Sequence, residues 1–169
     1  MSVQLLKDFN DNRCWGRIEK EECINFLNKQ ENFSKILLLA IKNKKDFSWR
    51  AAWLIVRVLK LNDIRLSPFV FRIIRSIPEK RDGHQRELLK MVSKFNLSKK
   101  QEGVYFDVCM NIWLDIKKKS GTRYYAILFL LKISKKYPEI RNELDYLLED
   151  YYTKMLSPGI KQSVLNKVK

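Results

Sequence analysis

A helix-like block recurs three times along this chain, and each copy is followed by a second, shorter block. The copies open at Ser48-Trp49-Arg50-Ala51-Ala52-Trp53, at His84-Gln85-Arg86-Glu87-Leu88-Leu89 and at Thr122-Arg123-Tyr124-Tyr125-Ala126-Ile127, with starts 36 and 38 residues apart. A period of that size belongs to paired helices stacked side by side. One such pair cannot hide its apolar faces alone; only its neighbours can cover them. The repeat therefore predicts an all-α chain: a short α-solenoid of stacked helix pairs, closed by a C-terminal capping helix.

Composition agrees where the argument needs it. The chain holds only 5 Gly and 4 Pro in 169 residues, and a turn-rich sheet protein needs more of both. An apolar fraction of 46% is enough to build a core rather than a disordered chain. We expect one domain over residues 1–169: a less regular helix pair in 1–45, then the repeat region in 46–169. Short solenoids can dimerise through an exposed end, and that N-terminal pair is the candidate. Cys14, Cys23 and Cys109 are odd in number and form no C-x-x-C, which favours reduced thiols over a disulfide framework. The start Met1-Ser2-Val3-Gln4 lacks a secretion signal, and the longest apolar run, Tyr124 to Leu131, is far shorter than a membrane span. A cytoplasmic protein without membrane contact is the expectation.

Local patterns place the helices. Phe26, Leu27, Phe33, Ile36, Leu37, Ala40 and Ile41 have helical spacing. Ser48 is expected to cap a helix running to about Lys60, apolar on nearly all sides except at Arg50 and Arg57. Ser67-Pro68 is expected to start its partner, with Phe69, Val70, Ile73, Ile74 and Ile77 buried. The following helices are expected over His84–Phe95, Gly103–Lys117, Thr122 to about Tyr137, and Glu139–Tyr152 with Leu144, Leu147, Leu148 and Tyr151 buried. Ser157-Pro158 opens the last, which is apolar on the side of Ile160, Val164, Leu165 and Val168.

A long buried helix, a short turn and a shorter partner, repeated near this period, resemble HEAT repeats. Phe47-Ser48-Trp49-Arg50-Ala51-Ala52-Trp53, Lys135-Lys136-Tyr137-Pro138-Glu139-Ile140 and Ser157-Pro158-Gly159 together resemble one small bacterial family of short HEAT-like proteins. That family has no established activity, and many members carry the name adenylosuccinate lyase. The chemistry of such a lyase does not fit the residues. The resemblance to the fumarase superfamily would require a loop of the type Ser-Ser-x-Met-Pro-x-Lys-x-Asn, which is absent, and histidines for acid–base work. His84 is the single histidine and is expected on the surface at a helix start. Four-ligand zinc sites, phosphate-cradling glycine loops and nucleophile elbows have no match here. No catalytic residue, metal or cofactor is therefore assigned, and a non-enzymatic role is expected.

Net charge is +15, which favours acidic partners such as nucleic acid. Some HEAT-like folds are alkylpurine DNA glycosylases with a basic concave face and an Asp among aromatic residues. Asp46, Trp49, Arg50 and Trp53 supply those residue types, yet two Trp one turn apart on an apolar helix are expected in the core. Charge also divides by layer. The first helices of the three pairs carry +3, +2 and +4, and the second helices +2, −2 and −4. In HEAT stacks the second helices usually line the inner side. Two surfaces follow. A mixed groove of Arg72, Arg75, Asp107, Asn111, Asp115, Asp145 and Glu149 is expected to hold an unidentified protein segment. An outer face of Arg50, Arg57, Arg86, Lys90, Lys94, Lys132, Lys135 and Lys136 is expected to give at most a weak polyanion contact.

Overall fold

The computed structural model describes residues 20–43 and 47–168. They form helices α1 Lys20–Asn28, α2 Gln30–Ile41, α3 Ser48–Val58, α4 Val70–Ser76, α5 Asp82–Ser93, α6 Lys99–Leu114, α7 Ser120–Lys136, α8 Arg141–Leu147, α9 Asp150–Thr153 and α10 Pro158–Val168. Two 3-10 turns, Ile64–Phe69 and Pro138–Ile140, precede α4 and α8. No strand occurs among the described residues, and the architecture is that of a short helical solenoid. The chain divides into two compact units, one ending at Asn96 and one beginning at Leu97. The expectations for Cys14 and Asp46, and for the side chain of Cys23, lie outside the described residues.

In the first unit α3 is the central helix, packed on α1, α2 and α5. Its buried side is Ala51, Ala52, Leu54 and Ile55. The α2 stripe Phe33, Ile36, Leu37, Ala40 and Ile41 is likewise buried, as its spacing predicts. The expectation that α3 is enclosed on nearly all sides is corrected. Trp49 is 41% exposed, Trp53 is half-buried and Arg57 is exposed, so a stripe of one-turn steps faces outward. Ser48 is the first helical residue and is buried; Phe47 holds the cap position.

The partner of α3 starts before Ser67-Pro68. The Asp63 carboxylate accepts the Arg65 backbone N–H at 3.2 Å and so caps the 3-10 turn, with Pro68 inside it. Asn62 enters this turn with φ 54, a left-handed conformation that asparagine tolerates better than most residues. The Arg65 guanidinium then donates to both Asp63 oxygens (2.9 and 2.6 Å) and to the Leu27 carbonyl (2.6 Å), while lying 4.1 Å from the Phe33 ring centre. Side-chain hydrogen bonding from Arg65 holds the Asp63 carboxyl below its ordinary range, against the opposing effect of burial.

His84 is not on the surface. It is 8% exposed, and its Nε2 lies 2.7 Å from the Ala40 carbonyl of α2, so the neutral ring must carry its proton on Nε2 and donate it. Burial pushes its pKa below the ordinary value, with buried Lys80 adding to the effect. The helix begins at Asp82, with Arg81 at the cap position, so Asp82-Gly83 forms the first turn rather than a preceding loop.

In the second unit α6 and α7 form the main pair, and α8 and α10 pack on α7. Helix α6 starts at Lys99, not Gly103. Ser98 Oγ accepts the Gln101 N–H at 3.4 Å and Gln101 Oε1 accepts the Ser98 N–H at 2.9 Å, a complete capping box. The spacing of Tyr105, Cys109, Ile112, Trp113 and Ile116 predicts that they face inward; the first four are buried, while Ile116 lies past the helix end and is half-buried. The Cys109 thiol is pushed far up by burial, which leaves it unreactive. Thr122 lies within the first turn of α7 and is buried; Lys119 holds the cap. The expected helix Glu139–Tyr152 is broken. The Leu148 N–H turns to the Asp145 carbonyl and Glu149 leaves helical geometry at ψ 161, so Leu148 is half-buried and Tyr151 is 55% exposed. Helix α10 buries Val164 against α7, and the Tyr124 hydroxyl meets Ser163 Oγ at 3.0 Å. Of the expected apolar side only Val164 is buried; Ile160 and Val168 are half-buried and Leu165 is exposed, as are Gln162, Asn166 and Lys167.

The tie at the centre of this unit is Arg123, which is 0% exposed. Its Nε donates to the Trp113 carbonyl at 3.0 Å and its Nη2 to the Tyr152 carbonyl at 2.7 Å. The guanidinium lies 4.4 Å from the Trp113 ring centre, and the Trp113 Nε1–H donates to the Leu147 carbonyl at 2.9 Å. One cation thus joins the end of α6 to the end of α9. Its Nη1 has no hydrogen-bond partner.

Candidate functional site

The second unit contains a groove of about 350 Å³ between α6 and the end of α7. The helix α6 contributes Lys99, Glu102, Gly103, Phe106 and Asp107, whose steps of three and four put them on one face. The end of α7 gives Ile133, and the turn beyond it gives Tyr137, Glu139 and Ile140. Phe106, Ile133 and Ile140 supply an apolar floor. Lys99, Glu102, Asp107 and Glu139 supply the charged edge.

The wall is braced by Glu102. Its carboxylate takes Lys136 Nζ at 2.8 Å on each oxygen and the Tyr137 hydroxyl at 3.0 Å. Partial burial alone would raise the Glu102 carboxyl; the hydrogen bonds of Lys136 and Tyr137 outweigh it and hold the group below its ordinary range. Bonding to Glu102 correspondingly raises the Lys136 ammonium. Asp107 and Glu139 are exposed and make no hydrogen bond or ion pair among the described residues.

Gly103 is the unusual member. It lies inside a 16-residue helix, where glycine costs about 1 kcal/mol relative to alanine. Nothing in the backbone requires it, because no glycine among the described residues has a positive φ. Nothing in the packing requires it either, because a Cβ at Gly103 would meet no atom within 4 Å. Gly103 therefore lines the groove with backbone alone.

The expected groove residues are placed as follows. Arg72 and Arg75 are exposed on α4 in the first unit, and Arg75 lies 5.7 Å from the Phe71 ring centre. The other five belong to the second unit, and of these only Asp107 lines the groove. Asn111 is exposed on α6. Asp115 ends α6 and accepts the Lys117 N–H at 3.0 Å. Asp145 pairs with Arg141 at 3.5 Å, and Glu149 caps α9 by position.

The expected basic face is reduced by internal pairing. Lys94 Nζ donates to the Val56 and Leu59 carbonyls at 2.9 and 2.8 Å, so it serves as a cationic cap on the C-terminus of α3. Arg86 and Lys90 both reach Glu87, which is buried (3.0 and 3.1 Å). Lys136 is held by Glu102. Lys132 and Lys135 are exposed on α7. Arg50 and Arg57 lie 5.6 and 5.2 Å from the ring centres of Trp49 and Trp53, forming an aromatic and basic stripe on α3.

No group of three or more His, Cys, Asp or Glu among the described residues is placed to hold a metal ion. No helix among them is long and apolar enough to cross a membrane. A family model described as HEAT repeat domain matches residues 16–169. No curated protein and no solved structure matches the chain.

Proposed function

The chain belongs to the HEAT repeat domain family, and on that premise we propose that it is a non-catalytic interaction module that holds a segment of a protein partner in the groove of α6 and α7. The observation that carries this reading is the groove itself, whose lining joins apolar Phe106, Ile133 and Ile140 with a side-chain-free Gly103 on α6. A groove of this volume is at the small end for a drug-sized ligand, and it suits one or two anchoring side chains of a longer segment. The buried, carbonyl-bound His84 supports a role without acid–base chemistry. Panning a random peptide library displayed on phage against the wild type and Gly103→Trp tests the proposal. Enriched peptides should bind the wild type and be lost on Gly103→Trp, with Gly103→Leu as the milder second plug and circular dichroism confirming both folds. Equal retention by both variants, or no enrichment on the wild type, refutes it.

A second reading rests on the exposed Trp49 and half-buried Trp53 with Arg50 and Arg57, a pattern able to stack bases beside phosphate contacts. Titration of labelled single-stranded DNA at two salt concentrations tests it. Binding that weakens with salt and with Trp49→Ala supports this reading; absent binding at low salt removes it.

A further inference from the structure

We infer that the groove of the second unit selects a basic segment: an apolar anchor seated over Gly103, flanked by Lys or Arg that meet Asp107 and Glu139. This rests on the groove reading above and adds the chemical class of the occupant.

Local charge decides which segment suits the groove. Three carboxylates and one ammonium line the groove. Glu102 is already bonded by Lys136 and Tyr137. That leaves Asp107 and Glu139, both exposed and neither engaged, on a rim whose floor is apolar. An acidic segment, or a phosphate backbone, would press its charge against both. A basic segment gives each a partner while its anchor covers Phe106, Ile133 and Ile140. The chain's net charge of +15 does not reverse this preference. At physiological salt, exposed charges beyond about 8 Å are largely screened, so groups at the rim decide. Lys99 is the cation among the lining residues, and Lys132 on α7 is near enough to act on Glu102, so the preference rests on Asp107 and Glu139 themselves.

The test uses the full chain and a random peptide library displayed on phage, panned against the wild type and against Asp107→Lys with Glu139→Lys. Peptides from the wild type should carry an apolar residue with Lys or Arg nearby, and those from the reversed variant should carry Asp or Glu instead. A wild-type peptide should bind the reversed variant about tenfold more weakly or worse, and replacing its basic residues with Glu should restore binding to that variant. Peptides that are lost on Gly103→Trp yet lack basic residues, or that ignore the charge reversal, overturn this inference while leaving the groove reading intact. Peptides unaffected by Gly103→Trp overturn the groove reading itself. Displacement of a groove peptide by a single-stranded oligonucleotide also overturns the inference, because phosphates would then occupy a rim of carboxylates.

Discussion

Arg123 offers the sharpest test of how the second unit is held. The guanidinium is fully buried, bonded to two backbone carbonyls, stacked on Trp113, and left with Nη1 unpaired. Burial lowers its pKa, and no carboxylate hydrogen-bonds to it. Each charge-assisted bond contributes about 1.5–3 kcal/mol, and the desolvated stacking about 2 kcal/mol. Against these stands the penalty of an ion taken out of water, several kcal/mol. Arg123→Ala removes the bonds and leaves a void beside Trp113, so we expect a loss of about 3–5 kcal/mol. Arg123→Met loses the bonds but fills the space and removes the buried charge, so about 1–2 kcal/mol is expected. Arg123→Lys keeps the charge on a more strongly hydrated group that cannot span both carbonyls. It should therefore cost more than Met, about 3 kcal/mol. For a chain of this size each kcal/mol moves the melting temperature by about 2–4 °C. Thermal and urea denaturation of the three variants gives the order: Met mildest, Lys and Ala worse. A Lys variant as stable as the wild type, or Met as damaging as Ala, refutes the reasoning.

Three further outcomes follow from the same geometry. His84 has a pKa depressed by burial, so the unfolded chain binds the proton more readily; its contribution is present above about pH 6.5 and is lost as pH falls through the lower folded value. Stability measured by urea between about pH 7 and about pH 5 should therefore fall, and His84→Gln, which can still donate to Ala40, should flatten that slope. Lys94→Met should lower stability by about 1–2 kcal/mol by leaving the Val56 and Leu59 carbonyls without their cation; an unchanged urea midpoint removes that role. Gly103→Ala should raise stability by about 1 kcal/mol, read as a higher melting temperature, since the added methyl meets nothing.

The fold was largely legible because its cause is periodic. The spacing of Phe33, Ile36, Leu37, Ala40 and Ile41, of Val70, Ile73, Ile74 and Ile77, and of Tyr105, Cys109, Ile112 and Trp113 predicts burial that the structure shows, while Phe69 and Ile116, placed by the same patterns, are only half-buried. Helix starts were less legible. Serine before proline suggested a cap at Ser67, but Asp63 holds the chain earlier. The helical pattern alone places a helix start at Gly103, whereas Ser98 and Gln101 carry the spacing of a capping box. That signal would have placed Gly103 inside α6 and pointed to the groove.

The site was less legible because it depends on which charges are already engaged. Counting cations cannot distinguish Lys94, bonded to backbone carbonyls, from exposed Lys132. Hydrophobic pattern likewise put Trp49 in the core, since an indole next to an arginine at an outer helix face looks the same in one dimension. Arg123 and His84 carry no sequence mark of burial; each is buried because backbone carbonyls from distant residues converge on it.

The most direct measurement titrates a basic peptide selected on the wild type into isotopically labelled protein and maps the amide shifts by NMR. The largest changes should fall at Lys99–Asp107 and around Ile133–Ile140. Shifts confined to other helices, with those segments silent, would contradict the account.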